Sequence, residues 1–273
     1  IICIDDGSTD GSEKIVDEFA AKDKRIIAIH QKNRGESNAR NTGLRTATGD
    51  YIGFMDCDDW IEPDMYESLV KALEEECADM AIAGFYQEYE DPGKPCIEVQ
   101  NEKNVEPKRF DGRQLLRYLY ERDSYRAFAY MWDKLYKREI VCGDSGEPIF
   151  YDESLQLGGD VLYLAQCALN TKHAVYIDRA FYHYLQRKKS GFHIPDLSRK
   201  RDHIRAYQIV EKKFEEHYVE PSVMDFIKRI IAYNSSCAAE IAYEQQNQDM
   251  LEIFQSIMRN YENEYRRLNA SRT

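Results

Sequence analysis

Short apolar runs alternate with amphipathic stretches along the first sixty residues of the chain. The apolar runs are typical of buried strands, and apolar residues three and four positions apart are typical of helices that pack on a sheet. In chain order, the predicted elements are a strand over 1–4, a helix over 12–22, a strand over 25–30, a helix over 35–48 and a strand over 51–55. This β-α-β-α-β order predicts an α/β fold with a mostly parallel sheet flanked by helices.

The rest of the chain first continues this mixture and then becomes wholly helical. The predicted elements are helices over 63–77, 111–120 and 153–170, strands over 80–86, 174–178 and 181–185, and an exposed loop or ribbon over 91–108. From Pro195 onward, three apolar stripes at helical spacing favour helices that pack within the protein. In the first helix of the chain, we expect Ile15, Val16 and Phe19 to face the sheet.

Carboxylates cluster where two of the predicted strands end. Asp5 and Asp6 follow the first strand, and Asp56, Asp58 and Asp59 follow the third. The carboxyl ends of parallel strands meet at one edge of a sheet, so we expect both clusters in one crevice. Clustered carboxylates repel one another unless a hard cation lies between them, and such a cation usually brings a phosphate. A metal–diphosphate site is one interpretation, and a pair of ordinary Asp-rich turns is the other.

Five segments carry a more specific signal than the acidic clusters alone. They are IDDGSTDGS, NRGESNARNTGLRTATGDYIGFMDCDDWIEPD, MWDKLYKREI, GGDVLYL and FYHYLQRKKSG. Together they resemble family 2 glycosyltransferases with the GT-A fold, of the bacterial polysaccharide or capsule type. The resemblance implies a GT-A-like catalytic domain over 1–192 and a helical C-terminal region over 193–273.

The resemblance also implies an activity, which is inverting sugar transfer from a nucleotide diphosphate sugar. A UDP-sugar is the expected donor, and a saccharide or lipid-linked molecule is the expected acceptor, in cell-surface polysaccharide synthesis. Family members normally begin about 30 residues earlier, with a further strand and helix. We therefore expect an unpaired strand edge and exposed apolar surface near the start of this chain.

Residue roles follow from the same resemblance. Asp58 is expected to ligate a divalent cation, Mn²⁺ or Mg²⁺, while Asp56 is expected to contact the metal, a metal-bound water or the ribose. Asp5 and Asp6 are expected at the nucleotide, with Asp6 on a nucleobase that carries a proton at N3, as uracil does. Asp59 is expected only to cap the next helix.

Two arginines are the candidate cations for the donor. Arg40 is expected near the phosphates, although pairing with Glu36 one helical turn away is an equal alternative. Arg187 belongs to a tail motif with Tyr182, Tyr184 and Ser190 that is expected to close over the donor.

Asp160 is the candidate base that takes the proton from the acceptor hydroxyl. The family carries a Glu-Asp pair here, but this chain has Gly159 before Asp160. A helix N-cap is the alternative role for Asp160, and Asp152 and Glu153 are the backup bases.

Four further side chains are weaker candidates. Trp132 and Tyr136 are predicted either to stack on an acceptor sugar or to lie in the core, with core favoured for one of them. His183 and His193 are predicted to be ordinary packing or surface histidines rather than ligands.

Composition narrows the partners. The net charge of −12 argues against a nucleic-acid partner, and seven cysteines without paired spacing favour a reducing cytosol and no zinc site. No apolar stretch is long enough to span a membrane, so we expect a cytoplasmic protein. A peripheral contact at the inner face of the membrane and a homodimer stay open.

One basic island interrupts this acidic chain, and it contains Arg187, Lys188, Lys189, Arg199, Lys200, Arg201 and Arg205. It is either a solvated surface or a segment that meets a diphosphate or an anionic lipid. Three other classes also compete with the transferase interpretation. They are a phosphohydrolase, a nucleotidyltransferase, and a non-catalytic module that binds nucleotide sugar or scaffolds a partner.

Overall fold

The computed structural model describes residues 1–91, 93–99, 108–120, 130–143, 146–187, 195–263 and 266. The predictions made for Lys188, Lys189, Ser190 and His193 lie outside the described residues.

The first four elements form a small α/β unit, as predicted. Strand β1 (Ile2–Asp5) leads to helix α1 (Ser12–Lys22), and strand β2 (Ile27–His30) leads to helix α2 (Glu36–Thr46). The two strands pair in parallel, with Ile2 opposite Ile27. This unit brings the end of β1 close to the start of α2, where several candidate residues lie.

The following strand belongs to a different sheet, which corrects the prediction of one continuous parallel sheet. Strand β3 (Tyr51–Gly53) pairs antiparallel with a strand from the MWDKLYK segment. The other elements are β4 (Trp60–Ile61), α3 (Met65–Glu75), β5 (Met80–Tyr89), β6 (Ile97–Val99), β7 (Lys108–Asp111), α4 (Gly112–Tyr120), β8 (Lys134–Lys137), α5 (Arg138–Cys142), α6 (Gly159–Asn170), β9 (His173–Gln186), α7 (Leu197–Glu216), α8 (Pro221–Glu244) and α9 (Gln248–Asn260). Strand β8 was not predicted. It pairs with the edge of β3 at which the order of the elements predicted a parallel strand.

The second sheet is mixed rather than mostly parallel. Its order is β3-β8-β5-β9-β4, with β6 beside β5 and β7 beside β9. Among the strands that the structure describes in this sheet, β5 and β9 pair in parallel and the other pairings are antiparallel. The α/β class is confirmed, but the pairing of strands distant in sequence could not be read from the order of elements.

Strand β9 is one long strand where two were predicted. Its pairing with β5 jumps from Ile177 to Ala180 opposite consecutive residues of β5, so a bulge interrupts the alternation of apolar residues. Gly84 lies at this point, and a Cβ there would come within 2.8 Å of the carbonyl oxygen of Val99. The bulge explains why the sequence pattern predicted a break.

Helix α1 does not bury the face that its sequence predicts. Ile15 and Phe19 are 58% and 55% exposed, because the two-stranded sheet offers little surface to cover them. Polar contacts hold the helix instead. The imidazole of His30 lies 2.9 Å from the Asp5 carboxylate and 2.9 Å from the Asp17 carboxylate of α1. These two hydrogen bonds, Asp5 first, raise the pKa of His30.

The helices from Leu197 onward confirm the predicted helical C-terminal region. Pro221 occupies the first turn of α8, where the missing N–H costs nothing. None of the helices in the described ranges combines the length and apolar character that a membrane span requires. The division into two domains near residue 192 stays a prediction.

A fully buried ion pair lies in the middle of the second sheet. The Lys134 ammonium is 2.6 Å from the Asp133 carboxylate and also donates to the carbonyl oxygen of Tyr130. Both side chains are 0% exposed, and burial raises the pKa of Asp133 and lowers that of Lys134. Each charge therefore depends on the other to remain in the core.

We expect Lys134→Met to lower the free energy of unfolding by about 3–5 kcal/mol, because it leaves the Asp133 carboxylate uncompensated in the core. Urea unfolding followed by circular dichroism measures the loss. In the double variant Asp133→Leu/Lys134→Met, most of the stability should return. A double variant as unstable as the single one would contradict this account.

Candidate active site

The acidic loop between β3 and β4 is tied to β9 by a short chain of hydrogen bonds. The backbone N–H of Asp56 donates to the Tyr182 hydroxyl oxygen at 3.0 Å, and that hydroxyl donates to Asp59 at 2.8 Å. The second carboxylate oxygen of Asp59 accepts from the backbone N–H of Leu185 at 2.8 Å. Asp59 thus fixes the loop on β9 and does not cap α3, which corrects its predicted role.

Burial raises the pKa of Asp59 to about 6, against the opposing effect of its two hydrogen bonds. Asp59 as a residue is only 7% exposed, so its hydrogen bonds cannot be replaced freely by water. Asp56 and Asp58 differ from it, because their side chains are 32% and 34% exposed. The loop therefore presents two accessible carboxylates and keeps a third for its own attachment.

Arg40 of α2 connects the acidic loop to the start of α6. Its guanidinium contacts Glu36, lies 2.9 Å from Asp56 and donates to Asp160. The side chain is only 14% exposed and its guanidinium lies 5.2 Å from the centre of the Tyr151 ring. Burial opposes the charge, but Tyr151 and the three carboxylates raise the pKa of Arg40 well above its usual value. The predicted contact with Glu36 is present, and Arg40 also binds two carboxylates that are distant in sequence. Its contact with phosphates stays a prediction.

Asp160 lies in the first turn of α6, but it is not the N-cap. Gly158 holds the N-cap position with a left-handed φ of 92°, and no side-chain cap bond is present. A Cβ on Gly159 would come within 3.3 Å of the Ser37 hydroxyl oxygen and the Tyr151 ring. Residue 159 thus faces α2, and the glycine lets α6 approach it closely.

Asp5 and Asp6 both lie at the end of β1, and each is engaged by its surroundings. Asp5 accepts from the backbone N–H of Ser8 at 2.9 Å and contacts His30. Hydrogen bonds from the Ser8 side chain, from His30 and from the Ser8 backbone lower the pKa of Asp5 to about 2. Asp6 accepts from Gln31 and from the backbone N–H groups of Arg34 and Gly35. In this arrangement Asp6 shapes the turn that opens α2.

A buried amide pair on α2 is a feature that the sequence prediction missed. Asn38 donates to Glu153 at 2.8 Å, and Asn41 donates to Glu153 at 2.9 Å and to the carbonyl oxygen of Tyr151. The Asn41 oxygen accepts from the backbone N–H of Tyr151 at 2.7 Å. The Glu153 carboxylate is therefore held by two amides. The sequence signal for this pair was the segment Asn38-Ala39-Arg40-Asn41, since an asparagine inside a helix needs a polar partner when it is buried.

Arg187, which follows the last residue of β9, lies beside the acidic loop. Its Nε is 3.3 Å from Asp58, and both side chains remain partly exposed. Sequence reasoning placed Arg187 and the acidic loop in one site, and the structure brings them together.

Comparisons with known proteins show the family to which the chain belongs. Residues 1–138 match the family described as "Glycosyl transferase family 2". The chain belongs to glycosyltransferase family 2. Glycosyltransferase GlyA of Streptococcus pneumoniae serotype 4 is 36% identical over 192 residues, which cover 70% of this chain and 27% of GlyA. The uncharacterized glycosyltransferase EpsJ of Bacillus subtilis is 29% identical over 218 residues, covering 80% of this chain and 61% of EpsJ.

The chain therefore matches less than two thirds of the length of each of these relatives. Among solved structures, S. aureus TarS in complex with UDP-GlcNAc superposes with a TM-score of 0.56 at 15% identity. The superposition covers 96% of this chain and 82% of the TarS chain. At this identity the likeness speaks for the fold alone, and it confirms the predicted GT-A-like architecture.

Membership in glycosyltransferase family 2 decides against the phosphohydrolase and nucleotidyltransferase alternatives. The range that matches the family includes Asp5, Asp6, Arg40, Asp56 and Asp58, and Asp160 lies beyond it. The structure brings Arg40, Asp56 and Asp160 into direct contact and places Asp58 next to Arg187.

The weaker candidate residues that the structure describes have packing roles. Trp132 and Tyr136 are 5% and 0% exposed, and Trp132 stacks on Tyr182 with ring centroids 4.1 Å apart. Both are therefore core residues, although the sequence favoured this for only one of them. His183 packs between two aromatic rings and contacts Glu88 and Glu62, which confirms the prediction of a packing histidine.

We expect Tyr182→Phe to lower the free energy of unfolding by about 1–3 kcal/mol, because the buried Asp59 carboxylate loses its hydroxyl donor. Urea unfolding measures this change. Tyr176→Phe is the matched control, since Tyr176 also lies on β9 and its hydroxyl donates to Asp178 at 2.8 Å. Asp178 is less buried than Asp59, so the control should lose less stability. Equal losses in the two variants would show that Asp59 has no special dependence on Tyr182.

Proposed function

We propose that this chain is an inverting glycosyltransferase that moves a sugar from a UDP-sugar to a saccharide or lipid-linked acceptor. The cell-surface polysaccharide pathway on the cytoplasmic side is the proposed setting. The observation that carries the proposal is the Arg40 contact with both Asp56 and Asp160. It joins the acidic loop and the candidate base at one guanidinium.

Asp160 is the proposed base. Its side chain is 52% exposed, so an acceptor hydroxyl has access to the carboxylate. As the acceptor oxygen attacks the anomeric carbon, its proton passes to Asp160. The bond between the anomeric carbon and the diphosphate oxygen breaks, and the electron pair leaves with UDP. Attack from the face opposite to the leaving group inverts the anomeric configuration.

The donor site is proposed to lie between the end of β1 and the acidic loop. Asp5, Asp6, Arg40, Asp56 and Arg187 are the proposed nucleotide-sugar residues. The TarS structure holds UDP-GlcNAc, which supports a UDP-sugar as the donor class. Arg187 and Arg40 supply guanidinium groups beside the acidic loop, and guanidinium is well suited to phosphate oxygens.

A divalent cation, Mn²⁺ or Mg²⁺, is the proposed cofactor, held by Asp58 and Asp56. Two accessible carboxylates fit such an ion, because Mg²⁺ in nucleotide sites commonly takes one or two carboxylates and completes its shell with phosphate and water. No group of three or more side chains of the ligating types is assembled in the described ranges, so the ion would depend on the substrate. When bound, it would neutralise the charge of the leaving diphosphate.

We expect UDP to bind more tightly with Mn²⁺ present, and Asp58→Ala to abolish that difference, because the variant removes the proposed metal ligand. Calorimetric titration of UDP with and without Mn²⁺ measures this difference in affinity. Asp50→Ala at the opposite end of β3 is the control and should behave as wild type. If the folded wild-type protein does not bind UDP, the transferase proposal fails and a scaffold role is favoured.

We expect Asp160→Asn to keep UDP affinity but to reduce sugar transfer by roughly 10²–10⁴-fold, the usual contribution of a positioned general base. UDP release in the presence of a cell-wall or lipid acceptor fraction, over a panel of UDP-sugars, gives the rate. Asp152→Asn is the control, because that carboxylate accepts from Ser154 in its own turn. A similar loss in both variants would remove the base role from Asp160.

A further inference from the structure

Part of the basic island has a defined place in the structure. Arg199, Lys200, Arg201 and Arg205 lie in the first turns of α7. The chain as a whole carries a net charge of −12, so this is a local excess of positive charge. None of these residues has a role in the proposed chemistry of the donor.

Helix α7 packs directly against the segment that leads to Asp160. The backbone N–H of Gln156 donates to Asp202 of α7 at 3.1 Å, and Asp202 is only 4% exposed. A Cβ on Gly158 would come within 2.8 Å of the Ala206 side chain and 3.2 Å of the Cα of His203. The first turns of α7 therefore form a wall next to the start of α6.

Arg199 and His203 are one helical turn apart and share a face of α7. The charge of Arg199 acts on Glu36, which contacts Arg40, and the charge of Asp160 acts on His203. This face of α7 is therefore the one near Asp160, the proposed base.

Arg199 differs from Arg40 in how its guanidinium is satisfied. Arg40 is bound by three carboxylates. In the described part of the chain, the Nε of Arg199 is buried and has no hydrogen-bond partner. The Arg199 side chain as a whole is only partly buried. An anionic oxygen is the group that best satisfies a guanidinium donor left without an acceptor.

We propose that Arg199 binds a phosphate or diphosphate group of the acceptor beside Asp160, and this rests on the proposed transferase function. The planar guanidinium matches phosphate oxygens, and Lys200 adds positive charge on the same turn. Burial and Lys200 lower the pKa of His203 to about 4, so its imidazole is neutral and can hydrogen-bond a sugar hydroxyl next to the phosphate. The phosphate can belong to a soluble sugar phosphate or to a lipid-linked saccharide diphosphate.

The test is an NMR titration of the histidine ring signals in protein saturated with UDP and Mg²⁺, which is diamagnetic and does not broaden nearby signals as Mn²⁺ does. Glucose 1-phosphate is the soluble probe, glucose is the uncharged control, and phosphatidylcholine vesicles with or without a polyprenyl diphosphate are the lipid probe. We expect glucose 1-phosphate or the polyprenyl diphosphate vesicles to shift the His203 signal, and glucose alone to have little effect. The probe that binds identifies the source of the phosphate.

Arg199→Gln should weaken that binding roughly tenfold or more, as expected for a charge-assisted hydrogen bond, and leave UDP affinity unchanged. Arg205→Gln removes the same charge from an exposed position of the same helix and should have little effect. The inference is overturned if neither probe binds, or if both variants lose binding of the probe equally. It is also overturned if Arg199→Gln weakens UDP binding instead. Failure of UDP to bind the wild-type protein would mark failure of the proposed function itself.

Discussion

The arrangement of the site depends on one buried guanidinium. Glu36, Asp56 and Asp160 meet at Arg40, and they come from α2, the acidic loop and α6. Two like charges about 4 Å apart repel by roughly 4 kcal/mol at the effective dielectric of a protein surface. The Arg40 guanidinium offsets this repulsion and so allows the three carboxylates to lie together. The divalent cation proposed at Asp58 and Asp56 would add positive charge here and would reduce the repulsion between the carboxylates.

Helix α2 connects two sheets that share no strand pairing in the described ranges. On one side, Gln31 donates to both Asp6 and Asn38 and links the turn after β1 to the helix. On the other side, Asn38 and Asn41 hold residues 151–153 ahead of α6. The turn after β1 and the start of α6 are thus aligned by partly buried polar contacts, which are directional in a way that apolar packing is not. The backup base Glu153 belongs to this framework.

Local pattern was sufficient for most of the elements but not for their pairing. Helices α1, α2 and α3 begin and end within about two residues of their predicted bounds, because their apolar spacing and flanking residues are local properties. Strand β8 was missed because its short run contains Lys134, whose charge is tolerated only beside Asp133 in the core. The exposed face of α1 was mispredicted for the opposite reason, since an apolar stripe does not reveal how much surface is present to cover it.

The sequence by itself determined the chemistry that the site can use. The acidic clusters, Arg40, Arg187 and Asp160 are all visible in the chain, and their types and spacing resemble one glycosyltransferase family. The tertiary structure decided which of these groups touch. Asp59 became an anchor rather than a helix cap, because Tyr182 arrives from β9 more than a hundred residues later. Arg40 became a shared contact, and α7 came to lie beside the start of α6, because long-range packing places them there and no local pattern encodes such distances.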